Sequence, residues 1–215
     1  LVKLAPVHNF WGHCLLELTN YAEAEKAFSW SVKNRPEASV KADALAGLSE
    51  AQYRQQKWAD LGKTALQLRQ VSPKSPHVFR VGYQGALGLF ESKDFDSALQ
   101  LLTPLSAESA KDSKNPLSQH ITYLLAECKR EKKDYAGAAQ AYEAAKTLKG
   151  PYAEEASYRL GYVHFLHEKY PNAAKELAAF QKKYKTSELV PQATLYLGRS
   201  YFESKDYKKA RKEFT

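Results

Sequence analysis

The chain has 215 residues, 44% of them hydrophobic and 26% charged, a balance that suits a globular protein and is too apolar for a disordered one. No apolar run reaches the roughly 18 to 20 residues that cross a bilayer, and the opening LVKLAPVHNF lacks the basic start and apolar centre of a signal peptide. The formal net charge of +8 would favour acidic partners or nucleic acid, but lysines and acids are interleaved along the whole chain and read as a solvated surface.

In chain order, the first predicted helix pair covers residues 5–38 and carries Trp11, Gly12, Leu15, Tyr21, Ala24, Phe28, Ser31 and Pro36. The second covers 42–75 and turns at Trp58. The third, 79–115, opens with Gly82, Gly85 and Gly88, spaced as in a phosphate cradle. A phosphate loop needs a strand before it and a Gly-Lys-Ser/Thr after it, and neither is present. Other copies carry Leu45, Leu48, Leu125, Leu160 and Leu197 at these places, so the glycines predict a thin helix packed closely by its neighbours. Pro104 and the polar stretch TPLSAESAKDSKNP, residues 103–116, predict a kink and a long connection.

The fourth and fifth pairs cover 116–152 and 153–187, and the sixth runs from 190 to its truncated end at 215. Pro116, Pro151, Pro171 and Pro191 sit where helices should start, which a fixed φ tolerates. HFLHE, with His164, His167 and Glu168, spaces two imidazoles about one helical turn apart. It is not the H-E-x-x-H order of a zinc protease and no third ligand is evident, so neither a metal nor a cofactor is expected. The letters FESKD occur at 90–94 and again at 202–206, and no Ser or Cys nucleophile has an evident His and acid partner, so catalysis is not expected. With no methionine, and with Leu1 and Thr215 each inside an apparent helix, the sequence is expected to be a piece of a longer chain.

The unifying pattern is a repeat. Aromatics Tyr21, Trp58, Phe95, Tyr135, Tyr170 and Tyr207 follow one another at intervals of 37, 37, 40, 35 and 37 residues. Three residues after them come Ala24, Leu61, Ala98, Ala138, Ala173 and Ala210; nine before them stand Gly12, Ser49, Ala86, Ala126, Gly161 and Gly198. Cys14 and Cys128 occupy equivalent places three repeats apart, too far to bridge, and are expected to be buried packing residues.

This spacing resembles the tetratricopeptide repeat, a helix-turn-helix unit. The resemblance implies an all-α fold, a single right-handed α-solenoid of about six repeats, in which the turn aromatics are expected to be core. It also implies a non-enzymatic scaffold that binds a peptide segment or partner helix on the concave face lined by the first helix of each pair. Carried over by register, that face holds Tyr53, Arg54, Arg80, Tyr83, Phe90, Tyr123, Arg130, Tyr158, Arg159, Tyr162, Phe165, Arg199 and Phe202. Aromatics give contact area at low entropy cost and arginine offers a planar donor fork. The lysine and asparagine clamp that co-chaperone members use for a terminal carboxylate is not reproduced: the first repeat offers Asn9 and His13, the fourth Tyr123 and Glu127.

The C-terminal line Tyr184, Ser187, Pro191, Ala193, Tyr196, Leu197, Gly198 is similar to repeats of bacterial envelope members of the β-barrel-assembly lipoprotein and Tol-Pal-associated types. That similarity implies a periplasmic or envelope-associated scaffold, with a cytoplasmic one left open. Two other readings stay open here: an RNA- or polyanion-binding solenoid, and the substrate-recognition arm of an enzyme whose catalytic domain lies outside this piece. The truncated sixth repeat leaves Ala210 and Phe214 without a following helix, so either self-association through that end or disorder beyond about Tyr207 is expected.

Overall fold

The computed structural model describes residues 2–34, 37–111 and 115–214, so Pro36, the 112–114 part of the polar stretch and Thr215 lie outside the described residues. Its contacts divide the chain into two compact units, Leu1–Glu108 and Ser109–Thr215. Among the described residues there are twelve α-helices and no strand. The first unit contains α1 (Ala5–Glu17), α2 (Tyr21–Lys33), α3 (Ala38–Arg54), α4 (Trp58–Val71), α5 (Val78–Glu91) and α6 (Phe95–Ser109), whose last residue lies at the boundary. The second contains α7 (Ser118–Glu131), α8 (Tyr135–Thr147), α9 (Ala153–Leu166), α10 (Tyr170–Lys183), α11 (Val190–Glu203) and α12 (Tyr207–Glu213). Each unit is a stack of helix hairpins, the arrangement of an α-solenoid.

The hairpins share one turn. Thr19, Gln56, Lys93, Lys133, Glu168 and Lys205 all adopt φ between 57° and 62°, and each stands two residues before its second helix. The left-handed residue reverses the chain so that its own N–H and the next one reach back: Lys133 N–H donates to the Arg130 carbonyl and Asp134 N–H to that of Lys129, both at 2.9 Å. The side chains of Asn20, Asp94, Asp134 and Asp206 then cap the second helix by accepting from the N–H of Glu23, Ser97, Gly137 and Lys209.

In five of the six hairpins a small residue on the first helix stands sixteen positions before a large one on the second; the second hairpin has Ser49 and Ala65 at these places. A Cβ added at Gly12 would lie 2.7 Å from the Phe28 ring, one at Gly161 2.6 Å from Leu177, and one at Gly198 2.4 Å from Phe214. Where the small residue is Ala86 or Ala126, the residue sixteen on is Leu102 or Tyr142, and all four are fully buried. The residue three after each turn aromatic, Leu61 included, is buried in every copy. The α5 glycines do the same between hairpins: a Cβ at Gly85 would meet that of Ala65 at 2.3 Å, and one at Gly88 would press the Trp58 backbone at 3.2 Å. That is the thin, closely packed helix the sequence predicts.

Three features differ from expectation. The turn aromatics are half-buried rather than core, and Tyr207 is 58% exposed. Four of them pack edge-on or tilted against an aromatic in the last turn of the preceding helix, with ring centroids 5.4–5.8 Å apart in Tyr53–Trp58, Phe90–Phe95, Phe165–Tyr170 and Phe202–Tyr207. Pro104 lies inside α6, which runs through it to Ser109. α3 begins at Ala38, ahead of the boundary drawn at residue 42. Cys128 is buried, and burial pushes its thiol up to about 12, but Cys14 is only half-buried.

These placements rank the aromatics. Phe28→Ala is expected to cost about 3–5 kcal/mol in urea unfolding, as for a fully buried phenylalanine, and Phe95→Ala no more than about 2 kcal/mol. Equal losses would show that the turn aromatic is core after all.

Candidate functional site

The two units are taken separately. In the first, the expected site residues Tyr53 and Phe90 belong to the turn pairs just described. Both arginines are engaged with one acid: Arg54 Nε donates to Glu50 Oε1 at 2.7 Å and Arg80 Nη1 to Glu50 Oε2 at 3.3 Å, which ties α3 to α5. Tyr83 is half-buried on α5. A polar cluster that sequence reading did not find lies beside them. The Asp43 carboxylate accepts from Asn9 Nδ2 at 2.7 Å and lies 3.0 Å from His13 Nε2, with His77 Nε2 at 3.8 Å. Burial pushes its carboxyl up, but the Asn9 and His13 hydrogen bonds and the two imidazoles prevail and hold it below the usual carboxylate range.

In the second unit, three helices converge on Glu127, which is 8% exposed. Arg130 Nη2 donates to its Oε2 at 2.7 Å, the buried Tyr142 hydroxyl donates to its Oε1, and Arg159 Nε stands 3.7 Å from Oε1 while donating to Glu155 at 2.9 Å. Burial, with the Glu127 charge and hydrogen bond, raises the Tyr142 phenol far above its ordinary range. Tyr123 stacks on Tyr152 at 4.5 Å, and burial raises its phenol as well. So Arg159 and Tyr123, expected to face a partner, join α7 to α9, Tyr142 joins α8 to them, and Arg130, also expected there, is held by Glu127 and Glu131 of its own helix. Tyr158 is 6% exposed, packs on Phe180 at 5.9 Å, and has its phenol pushed up to about 12 by burial. It is part of the α9–α11 core.

What remains is a patch on α9 and α11. Tyr162 packs on Tyr196 at 4.7 Å, Phe165 on the same ring at 5.2 Å, and the exposed Arg199 guanidinium lies 4.9 Å from the centroid of Phe165 and 5.7 Å from that of Tyr196. Arg199 makes no ion pair among the described residues, unlike the four other arginines expected at the site. Phe202, 55% exposed, follows on the same helix. Tyr196 was missed by sequence reading, although it lies three residues before Arg199, the spacing that puts two side chains on one helix face.

His164 and His167 are half-buried on and just beyond α9. Burial is the main cause that lowers the His164 imidazole below its ordinary value, with Lys169 and His167 adding to it against the opposing Glu176 and Glu143. No helix among the described residues is long and apolar enough to cross a membrane.

The family model described as tetratricopeptide repeat matches residues 11–70, 83–153 and 158–215. Among solved structures, the fold is similar to MamA from Desulfovibrio magneticus RS-1, 16% identical over 86% of this chain and 97% of that one, with a TM-score of 0.60. It is similar also to a tetratricopeptide repeat protein from Parabacteroides merdae, 14% identical over 98% of this chain and 77% of that one, TM-score 0.61. PilF of Pseudomonas aeruginosa, 15% identical over 98% of this chain and 89% of that one, gives 0.55. No curated protein sequence matches significantly.

The geometry separates two acids. Glu127→Ala leaves the buried Tyr142 hydroxyl without its acceptor and Arg130 and Arg159 with one carboxylate each, and is expected to cost about 2 kcal/mol or more in denaturant unfolding. Glu50→Ala, which loosens solvent-exposed arginines, should cost less than about 1 kcal/mol.

Proposed function

This chain belongs to the tetratricopeptide repeat family, and on that premise we propose that it is a non-enzymatic scaffold whose α9–α11 face captures a peptide segment or helix of a protein partner. The observation that carries this reading is Arg199. Four expected site arginines are committed to Glu50 or Glu127, whereas the Arg199 guanidinium sits on two aromatic rings with its donors unclaimed by any carboxylate among the described residues. A guanidinium presented this way favours a partner's carboxylate, and Tyr162, Phe165 and Tyr196 supply apolar area at low entropy cost beside it. The partner segment therefore carries an acidic side chain or a free C-terminus next to an apolar residue.

The first-unit residues Tyr53, Arg54, Arg80, Tyr83 and Phe90 make a secondary surface in this reading, since their arginines must first leave Glu50 to bind anything else. Assembly of an envelope complex is the setting we propose, supported by the C-terminal repeat line from Tyr184 to Gly198.

The test is to select peptides on the full chain from a displayed random library and to measure their affinity by titration calorimetry. Replacing Tyr162 and Arg199 together by alanine should weaken binding by at least 2 kcal/mol, about thirtyfold, with an unchanged melting midpoint. Lys208→Ala with Lys209→Ala should have little effect. Tyr158 is left intact because its loss would disturb the core. If the lysine pair abolishes binding and the Tyr162 and Arg199 changes are harmless, or if random RNA binds more tightly than any peptide, the patch is not the site.

A further inference from the structure

The Asp43 cluster has counterparts at other repeat junctions, and it differs from them in one respect. His13 stands eight residues before its turn aromatic and Asp43 fifteen before the next one. Glu50 and Arg80 occupy the same two places one repeat on, and they are paired too, with Arg80 Nη1 3.3 Å from Glu50 Oε2. In the second unit the two places hold acids, Glu127 and Glu155, and Arg159 bridges them at 3.7 and 2.9 Å. Three junctions between consecutive first helices are thus held by a polar bridge in one register.

The bridges differ in what pH does to them. A guanidinium keeps its charge at any pH a protein meets, whereas an imidazole gains or loses its charge between about pH 5 and 8. At the first junction two imidazoles face one carboxylate: His13 Nε2 from α1 lies 3.0 Å from Asp43 Oδ2, and His77 Nε2, from the residue that precedes α5, lies 3.8 Å from Oδ1. Asn9 of α1 donates to the same carboxylate at 2.7 Å, and the Phe28 ring of α2 stands edge-on to His13 at 5.0 Å. Among the described residues no lysine, arginine or second acid pairs with any of the three. Against the upward push of burial, the Asn9 and His13 hydrogen bonds and both imidazoles hold the Asp43 carboxyl below the usual carboxylate range, so its charge persists while the imidazoles titrate.

We propose that this junction is a pH-sensitive latch: a proton taken up by His13 or His77 turns its contact with Asp43 into an ion pair and tightens α1 and the start of α5 onto α3. Linkage sets the sign. Ion pairs made only in the folded chain favour proton uptake there, so the junction gains stability as pH falls from about 8 to about 5. His164 in the second unit has the opposite sign, because burial is the main cause that lowers its imidazole and its contribution fades as pH falls, so the measurement must be local. What the latch regulates is the spacing of α1, α3 and α5, the first helices of the first unit, and it does not depend on the reading of the α9–α11 patch.

Hydrogen exchange of the full chain, corrected for the intrinsic pH dependence of exchange, tests this. Protection of α1 and α3 amides should rise about threefold between about pH 7.5 and about pH 5.5, the size expected of half-exposed ion pairs, and Asp43→Asn should abolish the rise. His13→Gln with His77→Gln should abolish it as well, and replaces Asp43→Asn if that variant's melting midpoint falls. Glu50→Gln, which opens the arginine bridge at the next junction, should leave the rise in place. Protection in the wild-type chain that is flat or falls over this range overturns the proposal. So does a rise that survives the double histidine change.

Discussion

The contact between a small side chain on one helix and a large one sixteen residues on, across the hairpin, is what the other features depend on. Interiors pack near crystal density, so two helices approach only where one supplies a hollow for the other's bulk. Gly12 with Phe28, Ala86 with Leu102, Ala126 with Tyr142 and Gly161 with Leu177 solve the same problem with different volumes. The shared left-handed turn then follows as the shortest connection that holds this register. It tolerates Lys, Glu, Gln and Thr at positive φ, at a strain of about 1–2 kcal/mol each, because the reach-back hydrogen bonds and the caps offset it.

Once the hairpins are fixed, the polar residues divide by what surrounds them. Glu127 is enclosed by Arg130, Tyr142 and Arg159, so charges that sequence alone would give to a partner are used to join two repeats. Gln119 works similarly in the connection between α8 and α9: it donates to the Ala145 and Leu148 carbonyls and accepts from Tyr152 N–H, against Gly150 at φ 152°, where a Cβ would strike the Gln119 amide. Arg199 escapes such capture because its neighbours on α9 and α11 are rings. That difference in surroundings is why the proposed function rests on Arg199 and not on the paired arginines.

The hairpins, their period and their fold class were legible in the sequence, because spacing alone fixes which residues share a helix face. Gly12, Gly161 and Gly198 pointed to close approach before any coordinates did. The site was legible only in part. Tyr123, Tyr158 and Tyr162 read alike, yet burial separates them: Tyr158 enters the core while Tyr162 stays half-open against Tyr196. The pairing of Arg159 with Glu127 bridges residues 32 positions apart on different repeats, which no helix-face argument on one element reveals. The turn aromatics were misread as core because their regular spacing is equally compatible with clasping the turn. Pro104 stands inside α6 with Leu101, Leu102 and Leu105 fully buried around it, so packing holds the helix across the missing hydrogen bond.

The most direct test of the sixteen-residue contact is a double-mutant cycle at Gly161 and Leu177, read by urea unfolding. Gly161→Ala pushes a methyl into Leu177 and Leu177→Ala leaves a cavity, so each alone should destabilise the chain. Together they leave a small pair, much like Ser49 and Ala65 in the second repeat. The account predicts that the double variant is more stable than the sum of the single losses by about 1 kcal/mol or more. Additive losses would show that the two residues do not hold each other, and the contact would no longer explain the stack.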